Sequence, residues 1–482
     1  MSRVSRREFL EGTLLSLGGM VLPVSAFGES SQKLLSFGVV SDIHVDRTPR
    51  IAPELESVFR YFDANRVDAV MIPGDLADSG LIREMERFAE IWYKVFPNDC
   101  GGDGRHVEKL FVTGNHCLDG WHGRWNGWSE ERLRKERFHY ADNPKKVWER
   151  LFHEEYKLIW EKQVKGITFI GAQWRCLEPP VELPPVEEFF KAKRGKLDPN
   201  LPFFFTQHAH PQGTCHGAYA CAGSGGPEAR RALNAFPNAV AITGHSHCTI
   251  TDSRTVWQGE FTSIGAGCLH EGGASLSYAN VSYSWFRPSK DRLMKCTDWV
   301  DRGGCAMIVD VYADHLVIHR HSVRLNAPLG EDWAVPLPAA YGRGFDFKVR
   351  EKLTVPPQFP ADLGAVAKVT LHPAGHPAAK PEFAKDPCYS VSFPPATTPN
   401  GRVFDYKIEV FANGRVVKSE KIVANGFASP LPCPLGEELY LVRTADLPSG
   451  VELEFVITPA ECFGKTGHPL KVRIKGRLRC AG

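Results

Sequence analysis

No block of like charge stands out in this chain. Lys and Arg number 58 against 56 Asp and Glu, giving a formal net charge of +2, with the two signs mixed along the length. Neither a basic patch for nucleic acid nor an acidic interaction tail is therefore expected. None of the 13 cysteines forms a C-x-x-C pair, which argues against a zinc ribbon, and their odd number leaves at least one thiol over if the rest pair. Past the first 26 residues no apolar run is long enough to cross a bilayer, so no transmembrane segment is expected in the mature protein. Internal repeats and low-complexity tracts are also missing. What remains is 482 residues, 43% hydrophobic and 24% charged. That is the composition of a soluble globular protein, and the length calls for two domains rather than one.

The first residues read as an address. Ser5-Arg6-Arg7-Glu8-Phe9-Leu10 resembles the twin-arginine export signal, an apolar run follows over Leu14–Val24, and Val24-Ser25-Ala26 offers small residues for cleavage. Residues 1–26 are expected to be a signal peptide, handed to the twin-arginine export machinery, with a periplasmic or secreted product.

From residue 34 to 325 short apolar runs alternate with helical stretches. Leu35–Val40, Ala69–Pro73, Lys109–Thr113, Ile167–Ala172, Pro202–Thr206 and Ala239–Thr243 read as buried strands, with helices over Glu54–Asn65, Ile82–Val95 and Pro227–Ala235. Such a pattern predicts sheet layers covered by helices, an α/β domain. A polar, helix-rich insertion is expected from the third strand to about Lys165, and a hairpin over Cys305–Val311 and His315–Val323. Residues 326–360, rich in Pro and Gly, read as a linker. In residues 361–482 helical periodicity gives way to strands over Val403–Ala412, Arg415–Val423, Leu439–Ala445 and Val451–Thr458. Asn413-Gly414 is a two-residue hairpin turn between the first two, and a small all-β sandwich is expected there.

The chemistry sits where the strands end. The first runs into Ser41-Asp42-Ile43-His44, the second into Gly74-Asp75-Leu76-Ala77-Asp78, and the third into Gly114-Asn115-His116. Later strands run into Gln207-His208-Ala209-His210 and Gly244-His245-Ser246-His247. In open α/β sheets the carboxyl ends of the strands converge on the ligand crevice. Carboxylate, amide oxygen and imidazole, with no thiolate among them, suit hard-to-borderline divalent metals. Asp-x-His and His-x-His put both side chains on one face of an extended segment.

This ordered set resembles the calcineurin-like metallophosphoesterases over about Leu34–Val323. The resemblance implies a four-layer αββα sandwich with two divalent metal ions (Mn, Fe or Zn) at the strand ends. It implies one ion on Asp42, His44 and His247, the other on Asn115, His208 and His245, and Asp75 bridging both. It further implies that His116 serves the substrate or leaving group and that Asp78 orients His116 through a hydrogen bond. The activity implied is phosphoester hydrolysis by a metal-bridging hydroxide, acting on a small-molecule, glycan or lipid phosphoester. His208 is preferred to His210 as the ligand because it directly follows its strand; His210 is then a substrate contact, a support for the ligands or a core residue. Trp121 and Arg124, in the insertion, are candidate substrate contacts.

Three departures from the family pattern matter. Cys117 stands where an acid is usual. A purple acid phosphatase is disfavoured, because that subgroup has a Tyr where Asp78 stands. Ser79 occupies the position at which the family's Ser/Thr protein phosphatases carry an Arg, and Gly74–Gly80 looks like the cyclic-nucleotide and glycerophosphodiester hydrolases, so phosphodiesters are the expected substrates. An inactive exported binding or adhesion protein is an alternative, as is a phosphomonoesterase or nucleotidase of the same fold. In the C-terminal part, Asp405–Val410 and Cys462–Lys465 resemble strands and a loop of fibronectin type III domains. The export reading has a direct test. Replacing Arg6 and Arg7 by Lys should strand the precursor in the cytoplasm, seen as uncleaved protein on fractionation.

Overall fold

The computed structural model describes residues 32–118, 127–174, 185–218, 225–270, 293–294, 304–361, 367–374, 386–399, 402–427 and 436–474. Strands β1 (Leu35–Val39), β2 (Ala69–Pro73) and β3 (Glu108–Val112) are short apolar runs buried almost throughout. Strands of that composition belong in a parallel sheet covered on both faces, and β1, β2 and β3 pair in parallel. Cys305–Val311 and His315–Ser322 extend this sheet antiparallel from β1, and Ala327–Pro328 and Trp333–Pro336 complete it.

A second sheet contains β4 (Ile159–Val164), β5 (Ile167–Ala172), β6 (Phe203–Thr206), β7 (Ala239–Thr243), β8 (Val256–Gln258) and β9 (Thr262–Gly265), in the order β4-β5-β6-β7-β9-β8. Its four central strands are parallel, and β4 and β8 are antiparallel edges. The sheets face each other through Phe37, Val39, Met71 and Leu110 on one side and Phe169, Phe204, Val240 and Ile242 on the other. Phe37 sits edge-on to Phe169 and Phe204, with ring centroids 5.3 and 4.9 Å away. Such pairs add about 0.5–1.5 kcal/mol each beyond the area they bury.

Helices cover the outer faces. Helix Ile51–Ala64 and helix Ile82–Val95 press Leu55, Phe59, Phe62, Phe88 and Trp92 onto Val70, Ile72 and Phe111. On the far side Phe190, from helix Val186–Lys193, packs on Phe203 and Phe205, while Phe204 points inward. That alternation is the period of two of a strand. The result is a four-layer αββα sandwich.

Two expectations need correction. Residues 326–350 are not a linker: Trp333–Pro336 pairs with His315–Ser322, and Leu329, Trp333, Val335, Leu337 and Phe345 lie in the core between the sheets. Arg320 lies over the Trp333 ring, 3.7 Å from its centroid. The insertion to about Lys165, expected to be helix-rich, holds helices Glu130–Glu136 and Asn143–Phe152, but its last part is the edge strand β4.

The chain divides into two units, one within residues 1–278 and 301–350, the other within 279–300 and 351–482. The second unit is all-β. One antiparallel sheet holds Lys368–His372, Cys388–Phe393 and Glu438–Arg443. The other runs Arg415–Val423, Val403–Ala412, Leu453–Glu461, Leu470–Ile474, and Leu293–Met294 joins its first edge. The turn between Val403–Ala412 and Arg415–Val423 has Asn413 at φ 48° and Gly414 at φ 76°, the left-handed pair that a tight hairpin turn requires. No helix among the described residues is long and apolar enough to cross a membrane.

The corrected boundary is testable. A chain cut after Leu329 loses Trp333, Val335, Leu337 and Phe345 from the core, each worth about 1.5–3 kcal/mol of burial. That loss is comparable with the whole net stability of a domain, about 5–15 kcal/mol. The Leu329 cut should be insoluble or unfolded by circular dichroism, whereas a cut after Arg350 should give a cooperative melt.

Candidate metal centre

The carboxyl ends of β1, β2, β3, β6 and β7 bring nine side chains together: Asp42, His44, Asp75, Asp78, Asn115, His116, His208, His245 and His247. The approach is close because two glycines permit it. A Cβ on Gly74, which sits at φ 103°, would fall 2.2 Å from the His208 ring, and one on Gly244 would fall 2.1 Å from Ser41 Oγ and 2.5 Å from Asp42 Oδ2. The backbone is also strained. Asp42, His44, Asp75, His245 and His247 have φ of 51°, 50°, 50°, 69° and 52°. A non-glycine residue held there costs of order 1–3 kcal/mol, and such residues concentrate at functional sites.

Asp42 and Asp75 are fully buried at the centre. His247 Nε2 lies 3.0 Å from Asp42 Oδ1, and His208 Nε2 lies 3.8 Å from the same oxygen. Asp75 Oδ2 faces His208 Nε2 at 3.1 Å and His44 Nε2 at 3.6 Å. Asn115 Oδ1 is 3.0 Å from His245 Nδ1, and the His245 ring stands 4.9 Å from that of His208. The carboxylates are tied to the backbone as well. Asp42 accepts the His245 N–H and the Ser41 hydroxyl, and Asp75 Oδ1 accepts the His116 N–H at 2.8 Å.

The imidazoles are held in the manner of metal ligands. The Nε2 atoms of His44 and His208 are buried and make no hydrogen bond, although each faces Asp75. Their other nitrogens are anchored: His44 Nδ1 on Asp78 Oδ1 at 3.2 Å, and His208 Nδ1 on the Pro73 carbonyl at 2.7 Å. A metal-binding imidazole has this form, with its outer nitrogen fixed and its inner one left for the ion. A buried polar atom without its bond otherwise costs about 1–3 kcal/mol. Asp42, His44, Asp75 and His247 offer ligand atoms all within 4.8 Å of one another, as do His44, Asp78 and His116. With only oxygen and imidazole donors, the cluster suits divalent ions of the Mn, Fe and Zn kind.

Electrostatics follow from burial and pairing. Burial pushes the Asp42 and Asp75 carboxyls up, but His247 and His208 beside the first, and His208 and His116 beside the second, hold both well below the usual range. Burial also opposes ionisation of Asp78, yet the His44 hydrogen bond with the charges of His44 and Arg47 brings it down to about 2. His208 is lowered by burial and raised more strongly by Asp75 and Asp42. His245, buried beside His208, drops to about 3.

Several expectations change here. The Asp78 carboxylate does not mainly serve His116. His116 Nδ1 donates to the Asp78 backbone carbonyl at 2.8 Å, while the carboxylate, 4.0 Å from it, bonds to His44 and, at 3.2 Å, to Arg47 Nη1. The turn after β2 points the carboxylate toward β1 rather than β3. His210 is not positioned for substrate: it is fully buried, with Thr243 and Ser246 hydroxyls on its two nitrogens. Cys117 accepts the Leu76 N–H at 3.2 Å, and burial pushes its thiol up to about 12, so it packs as a neutral group. Trp121 and Arg124 lie outside the described residues.

Four neighbours were not anticipated. Ser41 is bonded to Asp42, and Cys268 donates to the Asp42 carbonyl at 3.3 Å. The His270 ring is 5.3 Å from that of His44. Trp174 stands 5.4 Å from both His208 and His245. Trp174 follows β5 at its carboxyl end, a signal the sequence offered. Cys268 and His270 follow β9, a strand too short to read.

Residues 35–249 match the family model described as calcineurin-like phosphoesterase. The chain therefore carries a domain of that family, and the matched stretch contains all nine clustered residues. No curated protein matches the chain. Among solved structures it is similar to a dimetal phosphatase from Danio rerio, at 13% identity and TM-score 0.38, covering 63% of this chain and 99% of that one. A purple acid phosphatase from yellow lupin seeds matches at 13% identity and TM-score 0.38, over 68% of this chain and 57% of that one. GAP50, the anchor in the inner membrane complex of Plasmodium, matches at 13% and 0.35, over 66% and 93%. Likenesses this distant carry no argument about activity.

Gly244→Ala tests the packing of the centre. Its Cβ cannot be accommodated unless Ser41 and Asp42 move. The variant should lose about 10–100-fold in affinity for Mn2+, the scale of a disturbed support around a metal ligand, as read by chelator competition.

Proposed function

We propose that this chain is an exported, metal-dependent phosphoesterase that hydrolyses phosphodiesters of small-molecule, glycan or lipid type. The observation that carries the reading is the pair of imidazole nitrogens, His44 Nε2 and His208 Nε2, that are buried without a hydrogen bond and both face one oxygen, Oδ2, of the Asp75 carboxylate. In this reading Asp42, His44 and His247 hold one ion, Asn115, His208 and His245 the other, and Asp75 both. Two divalent ions bound there supply Lewis acidity toward the phosphoryl oxygens and lower the pKa of water.

The chain's own residues do the rest. Asp78 fixes the His44 tautomer through Nδ1, and the Pro73 carbonyl does the same for His208. His116 is oriented by the Asp78 carbonyl and is partly exposed, which suits a group that meets the leaving oxygen as an acid. The completeness of this set argues against an inactive binding protein. The C-terminal unit is proposed to be a fibronectin III-like module. Its two antiparallel sheets, one of three strands and one built on four, support this.

One observation favours a second reading on specificity. Ser79 is buried, its N–H on Glu84 and its hydroxyl on Asp78, so it offers a phosphate little. Arg47, however, brings a guanidinium to Asp78 from the segment after His44, next to His116. If that planar fork grips phosphate, a monoester dianion is neutralised as well as a diester.

Two measurements decide these points. The ratio of kcat/KM for bis(p-nitrophenyl) phosphate and p-nitrophenyl phosphate, at one metal and pH, should favour the diester; a preference for the monoester selects the Arg47 reading. Asp75→Ala should lose both metal equivalents and all activity. His116→Ala should keep both ions by metal analysis and lose about 10²–10⁴-fold in rate.

A further inference from the structure

His210 is a strand-end residue that the proposed centre does not use as a ligand. It lies two positions past His208, and its ring is enclosed. Nδ1 is 2.5 Å from Thr243 Oγ1 and Nε2 is 2.7 Å from Ser246 Oγ. These partners flank the Gly244-His245 pair, so the ring spans the turn that leaves β7.

The bonds have a direction. The Thr243 hydroxyl donates to the Ile264 carbonyl at 3.5 Å, so its oxygen accepts from His210 Nδ1–H. The Cys248 N–H donates to Ser246 Oγ at 3.4 Å, which leaves the serine hydrogen for His210 Nε2. The Cys215 thiol also lies 3.4 Å from Nδ1; a neutral ring with its proton on Nδ1 satisfies both the Thr243 and the Ser246 hydroxyls. The turn it spans needs support. His245 and His247 are both left-handed, at φ 69° and 52°, and strained residues persist only where their surroundings over-determine them. Within the turn the backbone contributes Ser246 N–H to the Gly244 carbonyl, and Gly244 N–H to the His208 carbonyl.

We propose that His210 is a positioning residue for the metal centre: by tying Thr243 to Ser246 across the turn, it holds His245 and His247 in the strained conformations that aim their rings at the cluster. This rests on the metal-centre reading above. The brace joins the end of β6 to the end of β7, so two of the five contributing segments are locked to each other.

The test uses the full chain and Mn2+ alone, with affinity read by chelator competition beside thermal melting. Ser246→Ala and His210→Asn should each weaken Mn2+ binding about 10–100-fold, and raised Mn2+ should restore kcat while the weakened binding persists. His210→Gln places its amide near the site of Nε2 and still meets Ser246, so it should bind Mn2+ more tightly than His210→Asn, which reaches only Thr243. The double variant should be no worse than the weaker single one, because both remove the same bond. Ser246→Ala with wild-type Mn2+ affinity and only a lowered Tm would overturn the brace, as would losses that multiply in the double variant. A wild-type chain that takes up neither Mn2+ nor Zn2+ would overturn the metal-centre reading itself, and the brace with it.

Discussion

Two carboxylates with no access to solvent, Asp42 and Asp75, set the terms for the rest of the first unit. Removing such a charge from water costs several kcal/mol, and the cost is met only by close partners of opposite charge and by hydrogen bonds. Here the partners are imidazoles from other strands, with backbone N–H groups of His245 and His116 on the remaining lone pairs. Imidazoles are weak partners unless protonated, and four of them packed around two acids repel one another once charged. An arrangement only part-compensated by the protein has room for divalent cations to complete it, and donor chemistry, unbonded nitrogens and strain all lead to the same place.

The scaffold explains how such a cluster is tolerated. Five strands deliver it, and each is clamped before it reaches the site: β1 and β2 between the sheets and the helices, β6 between Phe190 and the inter-sheet core. The strain of five left-handed residues is of the same order as the net stability of a domain. It is carried where the layers are rigid, immediately beyond the ends of buried strands, rather than in long loops.

Much of this was legible in the chain. Apolar runs of four to six residues marked the central strands, and the residue types after each run marked what would meet at their ends. The rest failed for physical reasons. β4 is an edge strand in which only Trp160 and Val164 are buried, so Ile-Trp-Glu-Lys-Gln-Val shows no apolar run. Pro and Gly between 326 and 350 hid a strand, although Trp333, Val335 and Leu337 alternate as a half-buried strand should. Spacing gave no means of telling which imidazole the Asp78 carboxylate would meet, because His44 follows β1, His116 follows β3, and both stand within 4.0 Å of it.

That sharing couples two parts of the site that would otherwise be separable. Asp78 holds His44 by its carboxylate and His116 by its backbone carbonyl, and the same carboxylate is the partner of Arg47. A residue with one such contact can be assigned one role. With three, any shift that relaxes His44 also moves Arg47 and the His116 ring. The burial of Asp78 keeps the arrangement rigid, and its carboxyl, drawn down to about 2, stays ionised through the range in which histidines titrate. The two parts of the site are therefore aligned by one fixed charge: the turn after β2 carries it, and the segment after the neighbouring strand β1 gives it His44 and Arg47.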